Sequence, residues 1–365
     1  MALMIARCEP VAHEPGWCTI HAMRSLLLLL CLILSGCQAG YYWHLAGGHG
    51  ALMSDRRPVS EVLGDASVPE PARRQLQEAR AIVAFAEEQL NLPVEDSYSD
   101  YVALERDWVV WNLFAAPEFS LESRRWCYPV AGCVSYRGYF DRKRAKSHAA
   151  KLRDQGLDVH GAGAVAYSTL GWFDDPLTTP MLRREPAALA ELLFHELAHR
   201  WRYVSGATRF NESMATALAA EATRRWLVAH GERDAIRIWR ARERAARKVT
   251  ARVRETRREL KALYARDLAP GRMREHKRAE QQKLRDWYER ARARDPALDA
   301  WQGWFQGSLN NAQLNTLLDY NDHVPAFNQL LLDCGGRWAC FRERILELAD
   351  MNAERRTRTL EELHD

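Results

Sequence analysis

Between Pro186 and Val204, apolar residues (Leu189, Leu192, Leu193, Leu197, Trp201, Val204) recur at steps of three and four. This spacing predicts one buried face of a helix. Pro186 suits a first helical turn and Gly206 a stop. A second helix is expected from Asn211 onward, so the two helices form a hairpin across a short turn. Upstream, Pro69 and Pro71 open a helix over Arg73–Leu90. Short apolar or alternating runs over 108–114, 126–130, 134–140 and 165–173 read as strands of one small sheet, interrupted by a helix from Asp141, a good N-cap, to Gln155. Downstream, a charge-rich helix from Glu232 to Ala269 is broken at Pro270-Gly271, and a second runs to about Arg294. Ala246, Val249, Val253, Thr256, Leu260 and Leu263 give it a coiled-coil-like seam, and a solvated or salt-bridged outer face is expected. Ala300–Asp365 is helical again. The pattern predicts an α+β chain, predominantly helical, with a small sheet and a charged helical hairpin over 232–294.

Length and composition fit one large domain over 37–365: 47% hydrophobic residues suffice for a core. The net charge of +4 gives no reason to expect nucleic-acid binding, and no nucleic-acid motif accompanies it. The N-terminus changes the picture more. Met23-Arg24-Ser25 precedes the apolar run Leu26–Leu34, too short to span a bilayer, and then Leu34-Ser35-Gly36-Cys37. This is similar to bacterial lipoprotein signals, which implies a leader over 1–36 with its start at Met23 and its signal over 23–36, cleavage before Cys37 and acylation of the Cys37 thiol. Gln38 in place of Asp implies the periplasmic face of the outer membrane, with the inner membrane still open. An uncleaved anchor is the alternative. Of eight cysteines, Cys8, Cys18 and Cys31 leave with the leader and Cys37 is lipidated. Cys127, Cys133, Cys334 and Cys340 remain, an even number for an oxidising compartment, and the matching spacings favour bridges 127–133 and 334–340.

The chemistry lies in His195-Glu196-Leu197-Ala198-His199. Histidines four apart share a helix face and reach one tetrahedral metal, while Glu196 serves as general base for an attacking water. His199 stands seven positions before Gly206 and Glu212 six after it, so a hairpin sets Glu212 opposite the second histidine as third ligand. Glu212 also reads as a first-turn carboxylate favoured by the helix dipole.

This motif, with Asn211-Glu212 on the following helix, resembles the gluzincin metallopeptidases. More closely, the chain resembles a family of bacterial lipoproteins regarded as aminopeptidases. The likeness includes residues 111–119, 167–176, Asn310-Asn311-Ala312 and Val324-Pro325-Ala326-Phe327. The resemblance implies a zincin-like fold, zinc as cofactor, peptide substrates and hydrolysis by activated water. The interval between His199 and Glu212 is shorter than in better-known gluzincins. Zincins also lay a sheet edge beside the metal helix, which makes Tyr167, Ser168, Thr169 and Gly171 candidates for binding an extended peptide, against an ordinary strand. Tyr320 is the expected oxyanion donor and His323 the reserve. Glu118, Asp174 and Asp175 are candidates for a substrate's α-ammonium. Two other readings stay open: an envelope quality-control endopeptidase, and a non-catalytic assembly scaffold with a structural zinc.

Overall fold

The computed structural model describes residues 39–128, 132–166, 174–231 and 233–363. The chain divides into two compact units, Met1–Ala51 and Leu52–Asp365. In the first, residues 39–51 are helical; the leader and Cys37 lie outside the described residues. No helix among the described residues is long and apolar enough to cross a membrane. The second unit is mostly helical with small sheets, an α+β fold.

Its main sheet has three antiparallel strands, with Val110–Pro117 between Tyr136–Tyr139 and Leu157–Ala164. The outer strand at 157–164 departs from the expectation of a strand over 165–173. That strand is small and glycine-bearing because a Cβ on Gly161 meets Trp111 at 2.7 Å and one on Gly163 meets Trp108 at 2.9 Å. Room for two indoles replaces the apolar alternation that marks a strand. Val165 and Ala166 lie beyond its end, and residues 167–173, with the candidates Tyr167, Ser168, Thr169 and Gly171, fall outside the described residues. The helix Arg142–Asp154 connects the two outer strands, capped as expected by Asp141, whose carboxylate accepts from Lys143 N at 2.7 Å.

Two large hydrophobic cores lie among the described residues. In the larger, the helices Glu70–Glu88, Pro186–Trp201 and Thr208–Ala229 bury Leu76, Ile82, Leu193, Phe194, Leu218 and Trp226 together with Phe327 and Phe341 from the C-terminal helices Val324–Asp333 and Trp338–Asp350. The smaller belongs to the charged hairpin, Arg233–Tyr264 and Pro270–Arg292, which packs Val249, Val253 and Leu260 against Leu284 and Tyr288. The seam runs through Ala245, wholly buried, instead of the expected Ala246, which is partly exposed. Leu314 and Leu317 of the helix Asn311–Asn321 share this core, so the hairpin is packed onto the body.

That helix joins everything that matters for the site. Ala312 packs on Phe114 and Ala116 of the sheet. Asn311 donates to the carbonyls of Pro117, Glu118 and Ser120 and accepts from Tyr264 of the hairpin. Asn310 caps the helix and donates to Val159 O. Both asparagines, part of the family likeness in the sequence, are thus used in holding helix to sheet. A fully buried amide with all its bonds made is costly to replace.

Candidate metal centre

The histidine helix starts with Pro186 and ends at Trp201. A turn with Gly206 at φ 75° leads into the second helix, which begins at Thr208, earlier than the sequence suggested. Asn211 governs that turn: its side chain accepts from Val204 N at 2.9 Å and donates to Val204 O at 2.8 Å. Glu212 therefore sits beyond the first turn, its carboxylate directed at the histidines and not at the helix N-terminus. A second brace comes from outside. Cys127 and Cys133 are paired across the two-stranded hairpin Trp126–Tyr128 and Gly132–Val134 and bridged by a disulfide. Arg125 links Cys133 O to Gly206 O, and a Cβ on Gly132 would meet Ser205 Oγ at 2.7 Å and Gly206 N at 2.8 Å. The disulfide-closed hairpin is seated on the turn that joins the two metal helices. The other bridge, Cys334–Cys340, links two C-terminal helices.

His195, His199 and Glu212 converge, their ligand atoms all within 4.8 Å. His199 Nε2 lies 3.2 Å from His195 Nε2, and Glu212 Oε2 lies 3.3 Å and 3.5 Å from the two nitrogens. Zinc bonds of about 2.0–2.1 Å at tetrahedral angles separate ligand atoms by about 3.3–3.4 Å. The donor set and its spacing fit that ion. Two imidazole nitrogens and a carboxylate oxygen so close together, with side-chain exposures of 16%, 7% and 10%, also call for a cation between them. His195 is the most exposed of the three. His199 Nδ1 is buried without a partner among the described residues.

The electrostatics follow the same geometry. Burial works to raise the Glu212 carboxyl, yet His199 and His195 outweigh it and hold the group down at about 2. Glu196 is not part of the ligand group. Burial raises its pKa, against the pull of the two histidines and with the help of Glu212. Tyr320 stacks on His195 with ring centroids 6.1 Å apart and planes 22° from parallel. Glu212's charge, then burial, raise its hydroxyl well above the ordinary phenol range. Its place is fixed by the neighbouring Asp319, which accepts from Ser135 at 2.7 Å, and by His323 N, which donates to Ser213 Oγ at 3.1 Å. His323 itself meets the site through that backbone bond.

Sequence reasoning missed three further tyrosines. Tyr136, on the edge strand beside Phe114, and Tyr203, edge-on to His199 at 6.4 Å, both feel the Glu212 charge. Tyr98, at φ 66° and bonded through its backbone to Asp175 O, feels those of Glu196 and Asp175. No motif announces them, because each arrives from a different element. Of the three carboxylates proposed for an α-ammonium, Asp175 alone shares this neighbourhood. Asp174 lies 3.5 Å from Arg200, and Glu118 is held at 2.7 Å and 2.8 Å by Arg274 of the hairpin.

No curated protein matches this chain, and no solved structure does. A family match covers residues 40–360, which takes in the whole metal centre, its tyrosines and both disulfides. With the metal-ligand geometry and the match in agreement, the chain belongs to the Putative aminopeptidase family.

Proposed function

We propose that the protein is a zinc-dependent peptidase that removes residues from the N-terminus of peptides, anchored by lipid on Cys37 at the periplasmic face of the outer membrane. The observation that carries the catalytic part is the convergence of His195, His199 and Glu212 with Glu196 left out of the ligand set. A purely structural site has no use for such a carboxylate. Zinc held by the three ligands supplies Lewis acidity that brings the pKa of water toward neutrality. Glu196 accepts the attacking water's proton and passes it to the departing amine. Tyr320, stacked beside His195, offers its hydroxyl to the developing oxyanion. Asp175 is the candidate for the free α-ammonium of the substrate. The lipid anchor rests on the Leu34-Ser35-Gly36-Cys37 pattern, and the oxidising address agrees with the two disulfides.

The deciding experiment is a peptide-library digest by the purified mature chain, with N-terminally free and blocked substrates, with and without a chelator. Chelator-sensitive release of N-terminal residues from free substrates alone is the expected result. Cleavage of blocked substrates makes the enzyme an endopeptidase, and no cleavage in either arm ends the peptidase reading.

A further inference from the structure

A cavity of about 390 Å³ opens where the charged hairpin, the Glu212 helix and the Asn311–Asn321 helix meet. Arg209, Arg254, Arg257, Arg258 and Lys261 line it, against only Glu122 and Asp322. Asp322 is already shared, 3.9 Å from Arg209 and 3.8 Å from Arg254. Arg258 and Lys261 are exposed and have no ion-pair partner among the described residues. Arg257 donates to Leu121 O, while its Nε is buried without a partner among the described residues. Burial, then the adjacent Arg209 charge, lower the Arg257 pKa. Arg209 also lies 3.4 Å from Asp319, so five cations face three carboxylates there.

The cavity also adjoins the metal centre through the chain itself. Arg209 precedes Glu212 by three residues, one turn along the same helix. Leu318 and Asp322 lie one turn apart on the face of the Tyr320 helix that is turned away from Tyr320, so the cavity sits across that helix from the candidate metal centre. A peptide residue spans at most about 3.6 Å and a helix is about 10–12 Å across, so a chain that rounds this helix from the metal centre needs only a few residues. Phe119 and Tyr264, packed with centroids 6.0 Å apart, give it an apolar wall for a side-chain stem. The partial neutralisation by Asp322 and Glu122 suits one or two small anions better than a polyanion.

We propose that this cavity recognises a carboxylate of the peptide substrate, an Asp or Glu side chain or the peptide's own C-terminus, a few residues beyond the scissile bond. The proposal deepens the peptidase reading and rests on it. It explains why a hairpin with no ligand for the metal is packed against the metal helices: the hairpin supplies Arg254, Arg257, Arg258 and Lys261.

The test uses the zinc-loaded mature chain and short peptides with a free N-terminus in three forms: C-terminal acid, C-terminal amide, and amide with one Asp at the third or fourth position. kcat/KM is measured for wild type and for the double variant Arg258→Gln/Lys261→Gln, whose sites are exposed and tolerate change. Kd is measured in parallel by fluorescence anisotropy on Glu196→Gln, with and without the double substitution. Wild type should favour the carboxylate-bearing forms about tenfold, mainly through KM, and the double variant should lose that preference. Arg272→Gln, exposed on the second hairpin helix, should keep it. The acid and Asp forms tell terminal from side-chain recognition. Equal binding of all three forms, or a preference that survives the double substitution, overturns the proposal. So does binding to phosphatidylglycerol vesicles that depends on Arg258 and Lys261 while peptide charge has no effect, which gives the cavity to lipid. If Glu196→Gln binds acidic peptides as described but wild type cleaves nothing, the cavity stands and the hydrolytic reading falls.

Discussion

Asn211 grips both backbone groups of Val204 with its side-chain amide, at 2.9 Å and 2.8 Å, and so sets the register of the two metal helices. Asn211 is wholly buried, and the next residue is a metal-ligand candidate. Asn211→Ala leaves the partly buried N–H and C=O of Val204 without their side-chain partner, which costs about 1–3 kcal/mol. Denaturant unfolding of the metal-free protein should show that loss. Zinc affinity, measured by competition with a chelating dye, should fall with it. Asn211→Asp keeps the acceptor alone and should lie between. Unchanged zinc affinity in Asn211→Ala would mean that the packing of the helices alone sets the register.

Separation of metal holding from chemistry should be visible in two variants. Glu212→Ala removes one of three ligand atoms and should lose most of the one zinc expected per chain, as read by elemental analysis. Glu196→Gln should fold, keep its zinc and lose hydrolysis by about 10²–10⁴ or more. Equal turnover of one defined peptide by wild type and Glu196→Gln, at equal zinc content, contradicts the assignment of the base.

The seating of the Cys127–Cys133 hairpin on the Ser205-Gly206 turn predicts a contrast between two glycines of similar backbone. Gly132 and Gly156 have φ of +72° and +77°, but a Cβ at Gly132 meets Gly206 backbone while one at Gly156 meets nothing within 4 Å. Both substitutions to Ala carry the left-handed strain of about 1 kcal/mol. Gly132→Ala alone should also displace the metal turn and weaken zinc binding. Equal effects of the two on zinc affinity would place the hairpin outside the metal site's support.

Acid should destabilise the sheet through His160. Burial lowers its pKa from 6.5 to about 4, on the strand paired with Phe114. A base depressed on folding contributes stability that is present above its unfolded value and is lost as the pH falls from about 6.5 toward 4. The shift corresponds to about 3 kcal/mol at most. Unfolding free energies measured across that window should fall less steeply in His160→Gln than in wild type. Parallel curves would remove His160 as the cause.

Much of this molecule is written in local spacing. Two histidines four apart share a helix face whatever the rest of the chain does, and Gly206 between two apolar-periodic runs makes a hairpin that returns Glu212 to them. Cysteine pairs at matching separations close local loops, and the hairpin seam shows in its three-four period, displaced only from Ala246 to Ala245. Interactions of this kind lie within a few residues or one turn, where geometry follows from sequence position alone. The strand 157–164 escaped because its glycines are dictated by indoles on and just before a neighbouring strand, not by its own alternation. The surroundings of the metal escaped for the same reason. Tyr98, Tyr136 and Tyr203 come from three separate segments, Tyr320 being the one of the four tyrosines expected from the sequence, and the bond that ties His323 to Ser213 joins residues 110 apart. Such contacts depend on how whole elements pack, and a single tyrosine or arginine carries no periodic sign of what it will meet. The sequence by itself determined the metal-ligand pattern and the elements that carry it. The tertiary structure decided which further hydroxyls, carboxylates and cations surround the candidate metal site, because those neighbours are chosen by burial across the fold.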